Sequence, residues 1–275
     1  MLYGLRITEK SKITDQVKFL AGTQVVSFLM VRAQGLHDGR LMDDQDWSKN
    51  RTLAMNSDLR WGAIMDVVYA TEGAPDPWAQ AQNFMKTIDA GGRNWQIPPV
   101  IWCEEWAGKP LPGNYAHLVM GAVDVIQSKT GRKPILASNL GLLQKLKGYA
   151  ALDICPKMLV YPVASERPPM DVAFWDKYFR ITNWPASSEV DIIVWPGSHT
   201  ELKNWCMNES TPLPKWSGDV QPGDDQPGDE QPGEGEMTLE SVVTRMDTLI
   251  EQQKQTNTAL RQIIDELAAE RRIVR

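Results

Sequence analysis

A strand that ends in two acids lies near the middle of this chain, with the sequence Pro98-Pro99-Val100-Ile101-Trp102-Cys103-Glu104-Glu105-Trp106. The run is apolar up to its acids, which is typical of a buried strand in a parallel sheet. Because side chains alternate between the two faces of a strand, Glu104 shares a face with Trp102 and Trp106. A carboxyl group against aromatic surface favours its protonated form, as a general acid requires. Glu104 is therefore the candidate acid, and a salt bridge at the strand end is the alternative.

Outward from this strand, short apolar runs alternate with helical patterns. Eight candidate strands with intervening helices favour an α/β fold, a closed parallel (β/α) barrel of the TIM type, over an open sheet. The predicted strands are Tyr3–Ile7, Val25–Val31, Ala63–Tyr69, Val100–Cys103, Pro134–Ala137, Met158–Val163, Phe179–Asn183 and Ile192–Trp195. The predicted helices include Asp46–Leu59, Pro77–Ala90 and Tyr115–Thr130, and a long loop is expected over Gln34–Gln45.

An acidic segment divides the chain. Residues 217–236 contain seven acidic and no basic residues, in repeats that begin Gln-Pro-Gly at positions 221, 226 and 231. Proline and glycine oppose regular structure and like charges repel each other, so this segment is predicted to be a disordered linker. It separates a barrel domain over residues 1–216 from a helix over residues 237–275.

The C-terminal segment has an apolar stripe at heptad spacing, which one helix cannot bury alone. We expect a homo-oligomeric coiled coil, with a trimer favoured over a dimer because the stripe is wide, or pairing with other virion proteins. The alternative is a helix that docks on its own barrel. The residues expected at the oligomer interface are Leu239, Val242, Met246, Leu249, Leu260, Ile263 and Leu267.

Four segments of the predicted barrel carry, in order, the motifs of a known family. They are Gly4-Leu5-Arg6-Ile7-Thr8, Val31-Arg32-Ala33-Gln34-Gly35, Gly62-Ala63-Ile64 and Trp102-Cys103-Glu104. They resemble Gly-Ile-Asp-Val-Ser, Lys-Ala-Thr-Glu-Gly, Gly-Ala-Tyr and Asp-Xaa-Glu of glycoside hydrolase family 25, the lysozyme-like muramidases that cut the glycan of peptidoglycan. The resemblance extends over most of residues 3–205 and implies the β/α barrel of that family.

The departures from the family pattern concern its acids. Arg6 stands where the family has its first-strand acid, and Trp102 replaces the first acid of Asp-Xaa-Glu, which leaves Glu104. Glycoside hydrolysis by the usual routes needs a second carboxylate, for which Asp66, Glu9 and Asp191 are the remaining candidates. An arginine also opposes a positively charged transition state. The sequence therefore favours a muramidase-like barrel that has lost catalysis, and the alternative is an active muramidase with Glu104 as general acid.

Aromatic and polar residues at the predicted strand ends suggest a glycan-binding surface, because indole faces stack on pyranose rings. These residues are Trp102, Trp106, Trp184, Trp195, Asn139 and Tyr161. The alternative is that most of the eleven tryptophans belong to the core. Together with the helix, this surface suggests a structural or host-recognition protein of a bacteriophage virion. A barrel without a ligand, as an architectural part of an assembly, is a further alternative.

Several classes of function are not expected. The three histidines lack the spacing of metal ligands, and no phosphate loop or dinucleotide motif is present, so we expect neither a metal nor a cofactor. A net charge of -6 gives no indication of nucleic-acid binding. No apolar run approaches a membrane span, and the N-terminus lacks the pattern of a signal peptide, so we expect synthesis in the host cytoplasm and a place in the virion. The three cysteines are expected to be buried thiols.

Overall fold

A computed structural model describes residues 1–8, 26–37, 40–69, 76–90, 94–104, 111–160, 168, 170–180, 191–208, 210–216, 244, 247, 248 and 251. The linker predicted over residues 217–236 lies outside these ranges. So do four candidate site residues, Glu9, Trp106, Tyr161 and Trp184. The predicted interface residues Leu239, Val242, Met246, Leu249, Leu260, Ile263 and Leu267 also lie outside them.

The sheet of the described chain closes into a barrel of eight strands with a ninth strand added outside it. The barrel follows the order β1-β9-β8-β7-β6-β5-β4-β2, and a parallel pairing of β2 with β1 closes it. The α/β barrel predicted from the sequence is therefore confirmed. The strands are β1 (Leu2–Ile7), β2 (Phe28–His37), β3 (Arg40–Asp43), β4 (Arg60–Asp66), β5 (Val100–Trp102), β6 (Ile135–Ser138), β7 (Lys157–Val160), β8 (Phe174–Arg180) and β9 (Asp191–Trp195).

The prediction of a fully parallel barrel is wrong, because β9 runs antiparallel to both of its neighbours, β1 and β8. Residues 181–190 join β8 to β9. This connection is shorter than the roughly dozen residues that a parallel crossover requires. As a result, β9 begins at the end of the barrel where the other strands finish, and its last residue lies at the opposite end.

Two further boundaries differ from the prediction. β8 begins five residues earlier than the predicted start at Phe179. Asp176 interrupts the apolar run at this point, so the start of the strand was not recognised from the sequence. The predicted loop Gln34–Gln45 contains a hairpin, in which the end of β2 pairs antiparallel with β3. This hairpin extends beyond the barrel at the carboxyl end of β2.

Helices surround the barrel, and the predicted helix over Tyr115–Thr130 has the observed bounds. Pro77 begins the second helix after an Asp76 cap, as a proline in the first turn favours. Among the helices of the described ranges, none combines the length and apolarity that crossing a membrane requires. The helices are α1 (Trp47–Met55), α2 (Pro77–Asp89), α3 (Tyr115–Thr130), α4 (Leu140–Lys145), α5 (Ala150–Asp153) and α6 (His199–Met207).

Alternation along the strands produces two separate apolar cores. Outward-facing residues such as Leu29, Met65 and Leu136 pack with the surrounding helices. Inward-facing residues such as Met30 and Ile64 fill the barrel. Cys103, Cys155 and Cys206 are buried free thiols, as predicted. Burial raises the pKa of Cys103 to about 12 and that of Cys206 to about 11.

An aromatic cluster closes the amino-terminal end of the barrel. The Phe174 ring lies 5.5 Å from Phe28 and 5.0 Å from Trp195, measured between ring centroids. Trp205 of α6 covers this group, with its ring 5.3 Å from Trp195. We call this the closed end, and the opposite end, where β1, β2 and β4–β8 finish, the mouth. The expected position of Trp195 at the mouth is therefore wrong, because Trp195 is fully buried at the closed end.

Candidate functional site

The mouth of the barrel is lined by charged residues instead of the apolar residues found deeper inside. They come from the carboxyl ends of the parallel strands and from the first residue of the antiparallel strand β9. The three aspartates of this layer are buried, so their charges must be balanced by neighbouring cations. The described charged residues of the layer are Arg6, Arg32, Asp66, Glu104, Asp176 and Asp191, and the uncharged Trp102 lies among them.

Arg6 lies at the centre of one charge network. Its Nε lies 3.1 Å from Oδ2 of Asp176, and its Nη2 donates a hydrogen bond to Oδ2 of Asp191. Asp191 is directly opposite Arg6 across the β1–β9 pair, so the strand register itself sets this contact. Burial alone would lower the pKa of Arg6, but the carboxylates of Asp176 and Asp191 outweigh it and the pKa is raised. Arg6 therefore stays charged.

The guanidinium of Arg6 also lies on an indole. Its Cζ is 4.4 Å from the centre of the Trp102 ring, which is the geometry of a cation–π contact. The sequence motifs match these two positions to acids of the family pattern. Two carboxylates here would repel each other, whereas the cation and the aromatic ring attract each other.

Arg32 forms a second charge network at the mouth. Its Nε donates to Oδ2 of Asp44 at 3.2 Å, and its Nη1 lies 3.5 Å from Oδ2 of Asp66. Asp44 is buried just after β3, where its Oδ1 accepts a hydrogen bond from the Asp46 backbone before α1 begins. Asp66, the second-carboxylate candidate, is therefore held by an arginine from the neighbouring strand.

A glycine makes the Arg32 network possible. Position 35 follows a bulge in β2, and a Cβ there would lie 2.6 Å from Oδ2 of Asp66 and 3.1 Å from Cδ of Arg32. A Cβ at position 35 would force the Asp66 carboxylate to shift and the Arg32 side chain to move by a few tenths of an ångström. The absence of a side chain at Gly35 therefore lets the two charged groups meet.

Glu104 has a different environment from the aspartates. The indole Nε1 of Trp102 donates to its Oε2 at 3.4 Å, so both side chains lie on the same face, as alternation along β5 predicts. Glu104 is partly exposed and Trp102 is buried. At the mouth, Glu104 can therefore offer a carboxylate to a bound molecule beside an aromatic ring.

The remaining described candidate, Asn139, lies at the mouth just after β6. Its Oδ1 accepts a hydrogen bond from the Leu142 backbone at 2.8 Å and caps α4. The amide nitrogen of Asn139 takes no part in this cap. Asn139 is partly exposed, which is compatible with a contact to a ligand.

Asp44 and Asp176, which complete the two networks, were not predicted from the sequence as site residues. Asp176 is fully buried and follows the outward-facing Trp175 in β8. A charged residue inside an apolar run was the available signal, because a buried carboxylate needs a cationic partner. Within the described ranges, no group of three or more histidine, cysteine, aspartate or glutamate residues is placed to hold a metal ion.

Comparisons of sequence alone identify no relatives, since no family model and no curated protein matches the chain. Solved structures do match. A family 25 glycosyl hydrolase from Bacillus anthracis superposes with a TM-score of 0.60 at 18% identity, over 74% of this chain and 93% of that one. The bacterial lysozyme from Streptomyces coelicolor gives 0.58 at 19% identity, over 76% and 98%.

A third match is the spore cortex lytic enzyme of Clostridium perfringens, with a TM-score of 0.58 at 20% identity over 72% of this chain and 68% of that one. Identities this low establish the fold and not the activity. The described barrel therefore has the fold of the family 25 glycoside hydrolases, the lysozyme-like muramidases.

Proposed function

We propose that this chain is a non-hydrolytic, glycan-binding protein, in which a muramidase-like barrel recognises a cell-surface glycan such as peptidoglycan. Oligomerisation through the C-terminal helix and a place in a bacteriophage virion are parts of the same proposal. The observation that carries the loss of hydrolysis is the position of Arg6, which stacks on Trp102 and pairs with Asp176 and Asp191.

Arg6 opposes hydrolysis for an electrostatic reason. Cleavage of a glycosidic bond passes through an oxocarbenium-like state, which needs negative charge nearby and a pair of carboxyl groups about 5 to 10 Å apart. A permanent guanidinium charge raises the energy of that state. The carboxylates of Asp176 and Asp191 are engaged by the same guanidinium, and Asp66 contacts Arg32.

Binding of a glycan requires fewer precisely placed groups than its hydrolysis does. Sugar recognition uses a few convergent polar groups beside apolar surface. At the mouth Glu104 and Asn139 supply partly exposed polar groups, and the buried Trp102 positions Glu104 through its indole N–H. The strong similarity in fold to muramidases supports peptidoglycan as the class of glycan. The virion part of the proposal is supported by the heptad stripe, which suits attachment to sister chains or to other virion proteins.

The test compares binding to insoluble peptidoglycan with clearing of cell-wall suspensions. We expect the chain to bind without reducing turbidity. Glu104→Gln should weaken binding at least about tenfold, because a hydrogen bond to a charged group contributes roughly 1.5 to 3 kcal/mol. Glu201→Gln is the matched control, since Glu201 is exposed on α6 at the closed end and glutamine also suits its capping box.

Clearing of cell walls that depends on Glu104 would establish the alternative function, an active muramidase. If the chain clears cell walls and Glu104→Gln abolishes clearing while Glu201→Gln does not, the protein is an active muramidase with Glu104 as general acid. Asp66 and Glu9 would then be the residues to substitute next, in search of the second carboxylate. Equal binding by both variants, without clearing, would show that the mouth is not the glycan site.

A further inference from the structure

The chain leaves the barrel at its closed end. The indole Nε1 of Trp216 donates a hydrogen bond at 2.9 Å to the carbonyl oxygen of Val172, two residues before β8 begins. The Trp216 ring also lies 5.7 Å from that of Trp175, which faces outward from the second position of β8. Trp216 is thereby fixed outside the barrel beside the starts of its strands.

The preceding residues lie at the same end. Pro214 is next to Gly197, where an added Cβ would lie 2.7 Å from its Cγ. Gly197 follows Trp195, the last residue of β9, which pairs with Leu2 at the start of β1. The segment that leads into residue 217 therefore runs along the closed end and emerges away from the mouth.

From this exit point we infer that every barrel of an oligomer can turn its mouth to the same surface, and that the partner of the oligomer is a surface carrying many copies of the glycan. This inference rests on the proposed function, because it uses the mouth as the glycan site. The last described residue of the barrel domain, Trp216, lies at the closed end, so the point at which the linker is attached is remote from Glu104 at the mouth.

The predicted linker has the reach that several barrels need to bind at once. A chain of 20 residues has a root-mean-square length of about 25 Å when flexible. Fully extended, it spans up to about 70 Å. Barrels joined by such linkers can contact separate glycan strands of one wall, and each further contact is then intramolecular. A soluble glycan fragment, in contrast, occupies one mouth and gains nothing from the oligomer.

The experiment uses the full chain and a variant with a charged heptad core, Leu249→Asp/Ile263→Asp. The matched control, Gln255→Asp/Gln262→Asp, adds the same charge outside the apolar stripe. Light scattering gives the mass of each protein. Each protein is then titrated with a soluble glycan fragment of peptidoglycan and with insoluble peptidoglycan.

We expect the full chain and the control to be oligomers that bind insoluble peptidoglycan about 100- to 10,000-fold more tightly than the monomeric core variant. All three should bind the soluble fragment with the same affinity per barrel. If the fragment binds but the oligomer gains no affinity for the wall, the inference is wrong and the proposed function stands. If the fragment binds and the full chain is monomeric, the inference is wrong, glycan binding at the mouth stands, and the oligomer is removed from the proposed function. If no protein binds the fragment, the proposed function itself fails.

Discussion

Arg6 is the central cation of a buried charge network that includes Asp176 and Asp191. A buried ion pair does not by itself stabilise a protein, because desolvation offsets the attraction. Loss of one partner, however, leaves a buried charge unbalanced. In this barrel Asp176 is fully buried and relies on Arg6, so the two residues are expected to depend on each other.

At the residue scale, Arg6→Met should lower the free energy of unfolding by about 3 to 5 kcal/mol, since it leaves two carboxylates without their cation. Asp176→Asn should also destabilise, and the double variant should lose less than the sum of the single losses. Urea denaturation of the four proteins measures this coupling. Arg60→Met is the control, because Arg60 is partly exposed at the closed end. Strict additivity would contradict a direct interaction.

The sequence allowed part of this site to be predicted. Arg6 and Trp102 were identified as replacements for acids, because they occupy motif positions within recognisable strands. Their mutual contact could not be predicted, since it depends on how two distant strands face each other inside the barrel. The pairing of Arg6 with Asp191 also required the antiparallel direction of β9, which the prediction of a parallel barrel excluded.

At the scale of elements, the carboxyl end of β2 depends on one glycine. Gly35→Ala should destabilise by about 1 to 3 kcal/mol, because its Cβ would displace the Asp66 carboxylate and the Arg32 side chain. Gly113→Ala is the control, as a Cβ at position 113 meets nothing within 4 Å. Thermal unfolding of both variants measures the difference. Equal melting temperatures of the two variants would show that the Asp66 and Arg32 side chains can move without loss of stability.

The accuracy of the predicted elements follows from local signals. α3 was predicted with its observed bounds because a long apolar periodicity ends at Gly131, which adopts a positive φ of 71°. β8 was placed too late because the charge of Asp176, near its start, is compensated by Arg6, a residue distant in the sequence. The hairpin of β2 and β3 was missed because its pairing is set by a polar segment, Gln34–Asp43, that resembles a loop in sequence.

At the scale of the whole molecule, the position of Trp216 makes it the last anchor of the barrel domain predicted over residues 1–216. Its indole is buried against Trp175 and bonded to Val172, although it precedes an acidic segment with no apolar pattern. A residue at the end of a folded unit can fray unless such contacts hold it. The boundary of the domain is therefore expected to depend on this side chain.

Trp216→Ala in the full chain should destabilise the barrel by about 3 to 5 kcal/mol, the usual cost of truncating a buried tryptophan. For a domain of this size each kcal/mol corresponds to about 2 to 4 °C, so the melting temperature should fall by roughly 6 to 20 °C. Trp78→Ala is the matched control, because Trp78 is half exposed on α2. If calorimetry shows equal, small shifts for both variants, the barrel does not need Trp216 and its boundary lies earlier in the chain.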